Sequence, residues 1–61
     1  MKHTEHDYHQ AGYRYERAAT PNAAIAEAQR IRSMIEAEHP DDHAQARRLI
    51  DQGRQEARAA A

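Results

Sequence analysis

Small and apolar residues in the middle of this chain recur at alternating spacings of four and three. Ala24, Ala28, Ile31, Ile35 and Glu38 follow one another in that rhythm, with the glutamate closing the series. Such a rhythm puts all five on one face of a helix. A second series, Ala46, Ile50, Gly53, Ala57 and Ala60, marks another helical face further on. A third and shorter one, Tyr8, Ala11, Tyr15 and Ala18, runs near the start. Three helices are therefore expected.

Two prolines mark the breaks. Thr20-Pro21 reads as a helix start, because threonine can cap and proline suits the first helical position. His39-Pro40-Asp41-Asp42 is the second break, and a residue before proline is pushed away from helical backbone. The expected helices run from about 5 to 19, from 21 to 38 and from 42 to about 59. Asp41 or Asp42 is the expected cap of the third. His39 and His43 flank this turn, and its bland reading as a turn with a cap outweighs a pH-sensing or metal-binding loop. Residues 1–4 and 60–61 are expected to fray.

The short second break favours an antiparallel hairpin of helices 2 and 3. One register then pairs every layer: Ile35 with Ala46, Ile31 with Ile50, Ala28 with Gly53 and Ala24 with Ala57. Close approach of the two axes would explain a glycine inside a helix, where it costs about 1 kcal/mol relative to alanine. The expectation is one small all-α domain over residues 1–61, an antiparallel hairpin with a shorter N-terminal helix against it. Ile25 and Met34 flank the helix 2 seam on opposite sides. One flank is free for helix 1 and the other for a second copy, giving a homodimer, or for a foreign partner.

Composition sharpens this picture. Among 61 residues there are 14 alanines, four Ile, one Leu, two Met and three Tyr, with no Val, Phe or Trp. That balance favours helix over sheet. With no cysteine there is neither a disulfide nor a thiolate metal site. A chain this short buries little surface, so a monomer is expected to be marginal. Nine Lys+Arg against ten Asp+Glu give a net charge of −1, unlike a dedicated nucleic-acid binder. No apolar run is long enough to span a membrane, and residues 1–7 lack the apolar stretch of a secretory signal. A cytoplasmic location is the default expectation.

Residues 8–40 also show Tyr8-x-x-Ala11-Gly12-x-x-Tyr15, then Ala24, then Ala28, then Pro40. This series resembles a single tetratricopeptide repeat, whose first helix reads aromatic-x-x-Leu-Gly-x-x-Tyr. Ala28 stands where that family usually has an aromatic, and Pro40 falls about one helical turn late. The resemblance implies a helix-turn-helix unit that binds peptides or proteins, and it assigns no binding residues.

Candidate chemistry is sparse. His3, His6 and His9 recur every third residue and offer imidazole ligands. Residues at that spacing fan around a helix, so a solvated N-terminus is the stronger reading and no cofactor is expected. Arg47, Arg54 and Arg58 line one side of helix 3. Residues 44–61 carry four arginines against Asp51 and Glu56, a local balance of +2. Arginine forks suit carboxylates and phosphates. Tyr8, Tyr13 and Tyr15 are the only aromatics, and tyrosine is a favoured interface anchor. Ser33 is the single serine, and no phosphate loop is present, so no enzyme is expected.

The expected role is a small regulatory or inhibitory protein that binds another protein. Tyr8, Tyr13, Tyr15, Ile25, Met34, Arg47, Arg54 and Arg58 are the candidate contacts. Phage and mobile-element proteins are often of this kind, which is an analogy only. The alternatives are a nucleic-acid-binding regulator using the arginine stripe, and metal binding by the N-terminal histidines.

Overall fold

A computed structural model describes residues 1–60, and every regular element in them is helical. Helix α1 spans Glu5–Glu16, α2 spans Pro21–Glu36 and α3 spans His43–Ala59, with a 3-10 turn at Pro40–Asp42 before α3. The all-α class read from the sequence holds. So does the cap at Thr20, whose hydroxyl oxygen accepts a hydrogen bond from the Ala23 N–H at 3.1 Å.

Other termini differ from expectation. Helix α1 ends at Glu16, three residues short of Ala19. Its start is a reciprocal box: Thr4 Oγ1 accepts from the Asp7 N–H at 3.1 Å, and Asp7 Oδ2 accepts from the Thr4 N–H at 3.0 Å. The Thr4 N–H first, and the Thr4 hydroxyl second, hold the Asp7 carboxyl below its ordinary range. Asp42 precedes α3 without a side-chain cap bond. The cap in that turn is His39, whose Nδ1 accepts from the Asp41 N–H at 3.1 Å. His43 Nε2 lies 3.1 Å from the Glu38 carbonyl oxygen and ties the turn back to the end of α2.

The pairing of the helices departs most from expectation. Helices α1 and α3 cross closely at their glycines: Gly12 abuts Ile50, Gly53 abuts His9 and Tyr13, and beyond the crossing Glu16 reaches Arg54 and Arg58. Against α2 the contacts run in opposite order, since Tyr8 meets Met34 and Arg14 meets Glu27, so α1 and α2 are antiparallel. Helix α1 is the central element, and α2 and α3 touch each other little. The antiparallel hairpin of α2 and α3, with Ala28 on Gly53, is not what forms. Ala28 is exposed, and Gly53 faces α1.

The reason lies in two missing methyl groups. A Cβ at Gly12 would strike the main-chain carbonyl of Ile50, with the carbonyl carbon at 2.8 Å. A Cβ at Gly53 would strike the carbonyl of His9 in the same way, again with the carbon at 2.8 Å. Each glycine thus admits the backbone of the opposite helix. No alanine-lined seam can bring two axes so close, because every alanine carries a Cβ. The α3 seam of Ala46, Ile50, Gly53 and Ala57 is buried, Gly53 against α1 and Ala46 and Ile50 in the core. That core consists of Tyr8, Ala11, Met34, Ala46 and Ile50, with Ile31, Ile35 and Leu49 packed around it. The molecule measures 32 × 23 × 14 Å. All three helices contribute side chains to that one core.

Candidate interaction surface

Burial sorts the candidate residues into two groups. Tyr8 and Met34 belong to the interior. Tyr8 is 0% exposed, and its hydroxyl lies 2.6 Å from Glu38 Oε2 and 3.1 Å from the Met34 carbonyl oxygen. Neither side chain is presented to a partner. Tyr13 and Tyr15 are half-buried and each carries an arginine. The Arg17 guanidinium stands 5.8 Å from the Tyr13 ring centre, and that of Arg54 stands 5.0 Å from the Tyr15 ring centre.

The arginine stripe is divided. Glu16 accepts from Arg58 Nε at 2.6 Å and from Arg54 Nε at 3.0 Å. Arg58 first and Arg54 second hold the Glu16 carboxyl below its ordinary range. Two of the three arginines are thus committed to an internal carboxylate. Arg47 is exposed and makes no ion pair among the described residues.

The N-terminal histidines point to different neighbours. The His3 ring meets the Tyr8 ring edge-on at 5.7 Å, His9 Nε2 lies 2.7 Å from Glu56 Oε2, and His6 is exposed. Among the described residues no group of three His, Cys, Asp or Glu side chains is placed to hold a metal.

The sequence places Glu38 on a seam without a role, yet it organises one end of the bundle. Its side chain is buried, with 6% of the residue exposed. It accepts the Tyr8 hydroxyl, the Lys2 N–H at 2.6 Å and the His3 N–H at 3.0 Å. The Tyr8 bond first, and then the two main-chain N–H groups against the opposing effect of burial, bring its carboxyl down to about 2. Burial first and Glu38 second push the Tyr8 hydroxyl upward. Residues 2 and 3, expected to fray, are tied to this carboxylate. The available signal was a glutamate closing an otherwise apolar seam, since a buried charge needs hydrogen-bonding partners.

A cavity of about 250 Å³ lies between α1 and α2, lined among others by Asp7, Arg14, Glu27 and Arg30. Arg14 Nη2 lies 3.3 Å from Glu27 Oε1, while Glu27 Oε2 is buried with no hydrogen-bond partner among the described residues.

Helix α2 carries the open surface. Met34 is its one buried residue, and Ile25 remains 55% exposed. The seam of Ala24, Ala28, Ile31 and Ile35 is only partly covered: Ala28 is exposed and the other three are half-buried.

Neither a family model, nor a curated protein, nor a solved structure matches this chain.

No helix among the described residues is long and apolar enough to cross a membrane.

Proposed function

We propose that this chain is a small non-enzymatic regulatory or inhibitory protein that acts by binding another protein. The observation that carries this reading is the state of α2. One of its sixteen residues is buried, and it holds Ile25 at 55% exposure on its outer side. An amphipathic helix with an open apolar side is a recurrent protein-recognition element. Tyr13, half-buried under Arg17, and exposed Arg47 offer further contacts on other helices. The resemblance of residues 8–40 to a tetratricopeptide repeat supports the same reading. The commitment of Arg54 and Arg58 to Glu16 weighs against the nucleic-acid alternative, because two of its phosphate contacts are already neutralised.

The test is capture of a partner from the native host, followed by measured binding of the two purified proteins. Ile25→Asp is expected to weaken that binding at least tenfold, about 1.4 kcal/mol, with helix content unchanged. Binding that falls steeply with salt, ignores Ile25→Asp and is lost in Arg47→Glu would move the assignment to nucleic acid.

A further inference from the structure

The cavity between α1 and α2 holds two charged groups of opposite sign that the fold leaves unanswered. Helix α1 lines it with Asp7, Ala11 and Arg14, and α2 lines it with Glu27, Arg30 and Met34. Two carboxylates therefore meet two guanidinium groups there. Asp7 already accepts from the Thr4 N–H at 3.0 Å. Arg14 Nη2 lies 3.3 Å from Glu27 Oε1. The remaining groups are Glu27 Oε2, buried with no hydrogen-bond partner among the described residues, and Arg30, which makes no ion pair among them. A buried carboxylate oxygen without a donor is costly. Residues 27 and 30 stand three apart on α2, so their side chains are neighbours on one helix face. An acceptor and a cationic fork thus border the same cavity side by side, and a single small molecule answers both if it carries a charged donor and an acidic group close together.

We propose that this cavity binds a free α-amino acid with an apolar side chain. Its ammonium donates to Glu27, its carboxylate lies on the Arg30 fork, and its side chain rests on Ala11 and Met34. The Glu27 side chain keeps 18% exposure, and the terminal torsion of a glutamate is broad, so a small turn presents the unpartnered oxygen to the cavity. The planar fork of arginine matches a carboxylate with two parallel N–H bonds. Ala11 and Met34, 5% and 8% exposed, supply apolar ground, and methionine adapts its shape to what it touches. With His3 neutral, the formal charges of the lining cancel, which matches a zwitterion better than a ligand of net charge. The volume of about 250 Å³ falls just below the roughly 300–1,000 Å³ of sites for drug-sized ligands, and so suits a molecule of amino-acid size.

This inference goes beyond the partner-binding reading, and Ile25 does not line the cavity. It is tested on the purified chain alone, so its failure leaves that reading standing. Leucine is the probe, followed through the amide NMR spectrum of the full chain. At about 10 mM, roughly tenfold above a millimolar dissociation constant, leucine is expected to shift the amides of Ala11, Arg14, Glu27 and Arg30 and to approach saturation. Leucinamide keeps the ammonium without the carboxylate, and N-acetylleucine keeps the carboxylate without the ammonium. Each is expected to bind about tenfold more weakly or worse. Arg30→Ala, at an exposed position, is expected to keep its helix content and to weaken leucine binding by about tenfold or more, and Glu27→Gln is expected to do the same. A spectrum unmoved by leucine, alanine and methionine means that the cavity takes up water only, and overturns the proposal. So does leucinamide or N-acetylleucine binding as well as leucine, or Arg30→Ala with wild-type affinity.

Discussion

The Tyr8 hydroxyl stands 2.6 Å from a carboxylate oxygen of Glu38, 30 residues along the chain, with both side chains buried. The contact joins the first turn of α1 to the residues just beyond α2. The same carboxylate takes the main-chain N–H groups of Lys2 and His3. One glutamate thus fastens three parts of the chain, and it does so only while ionised, because a protonated carboxyl gives up acceptor capacity to its own proton.

Stability should therefore fall in acid through a definite window. Glu38 moves from 4.5 in the unfolded chain to about 2 in the folded one. Between those values the unfolded chain holds the proton and the folded chain does not. Stability thus rises with pH across the window, is complete above 4.5 and is lost as pH falls toward 2. Asp7 and Glu16 are also lowered and act in the same direction. Thermal melts by circular dichroism at stepped pH should show a steep loss in this range, and Glu38→Gln should flatten part of it. In Tyr8→Phe, carbon NMR of the Glu38 carboxyl should show its midpoint moved up toward the ordinary value. An unmoved midpoint would mean that the hydroxyl is not what holds it down.

The two glycines give the sharpest test of how α1 packs on α3. In an ordinary helix interior, replacing glycine by alanine stabilises by about 1 kcal/mol. At Gly12 and Gly53 the added methyl would meet the opposite backbone, which has no side chain to swing aside. Overpacking of this kind costs about 1–3 kcal/mol, sometimes more, so the collision outweighs the gain. Gly12→Ala and Gly53→Ala should each lower stability in urea unfolding, by up to about 2 kcal/mol net. A stabilised variant at either site would show that α1 and α3 lie further apart than described.

The glycines also explain what could be read from the sequence and what could not. Helix positions were legible because periodicity and proline are local signals, and Thr20 capped where its spacing said it would. The seam Ala46, Ile50, Gly53, Ala57 was legible as a buried face. Its partner was not: spacing pointed to the α2 seam, whereas the buried α3 glycine packs on α1. The choice was made by Gly12 and Gly53, which admit the Ile50 and His9 backbones of the opposite helix. Among the site residues, exposure of Ile25 could be anticipated from its place off the seam. The capture of Arg54 and Arg58 by Glu16 could not, since nothing local links positions separated by 38 and 42 residues.

That capture has a measurable consequence. Glu16→Ala should release two guanidinium groups beside exposed Arg47 and change the net charge by one. Retention on a heparin column should increase over the wild type, and the gain should vanish in the double variant with Arg54→Ala. Equal retention of wild type and Glu16→Ala would show that the arginines are already free.

The last expectation separates two helix starts that look alike in sequence. Thr20 and Asp42 are both residue types favoured before a helix. Only Thr20 makes the bond, its hydroxyl oxygen accepting from the Ala23 N–H, whereas the Asp42 side chain makes none. Loss of a working cap costs about 1 kcal/mol, while a charge near a helix start without a bond contributes a few tenths to about 1 kcal/mol, screened by salt. Thr20→Ala should therefore lower stability by about 1 kcal/mol at any ionic strength. Asp42→Ala should cost less, and its effect should shrink as salt is added. Because α2 carries the open surface, fraying at its start should also weaken partner binding, so Thr20→Ala links cap, helix and proposed role in one variant. If the two substitutions behave alike in melts at low and high salt, the assignment of the caps is wrong.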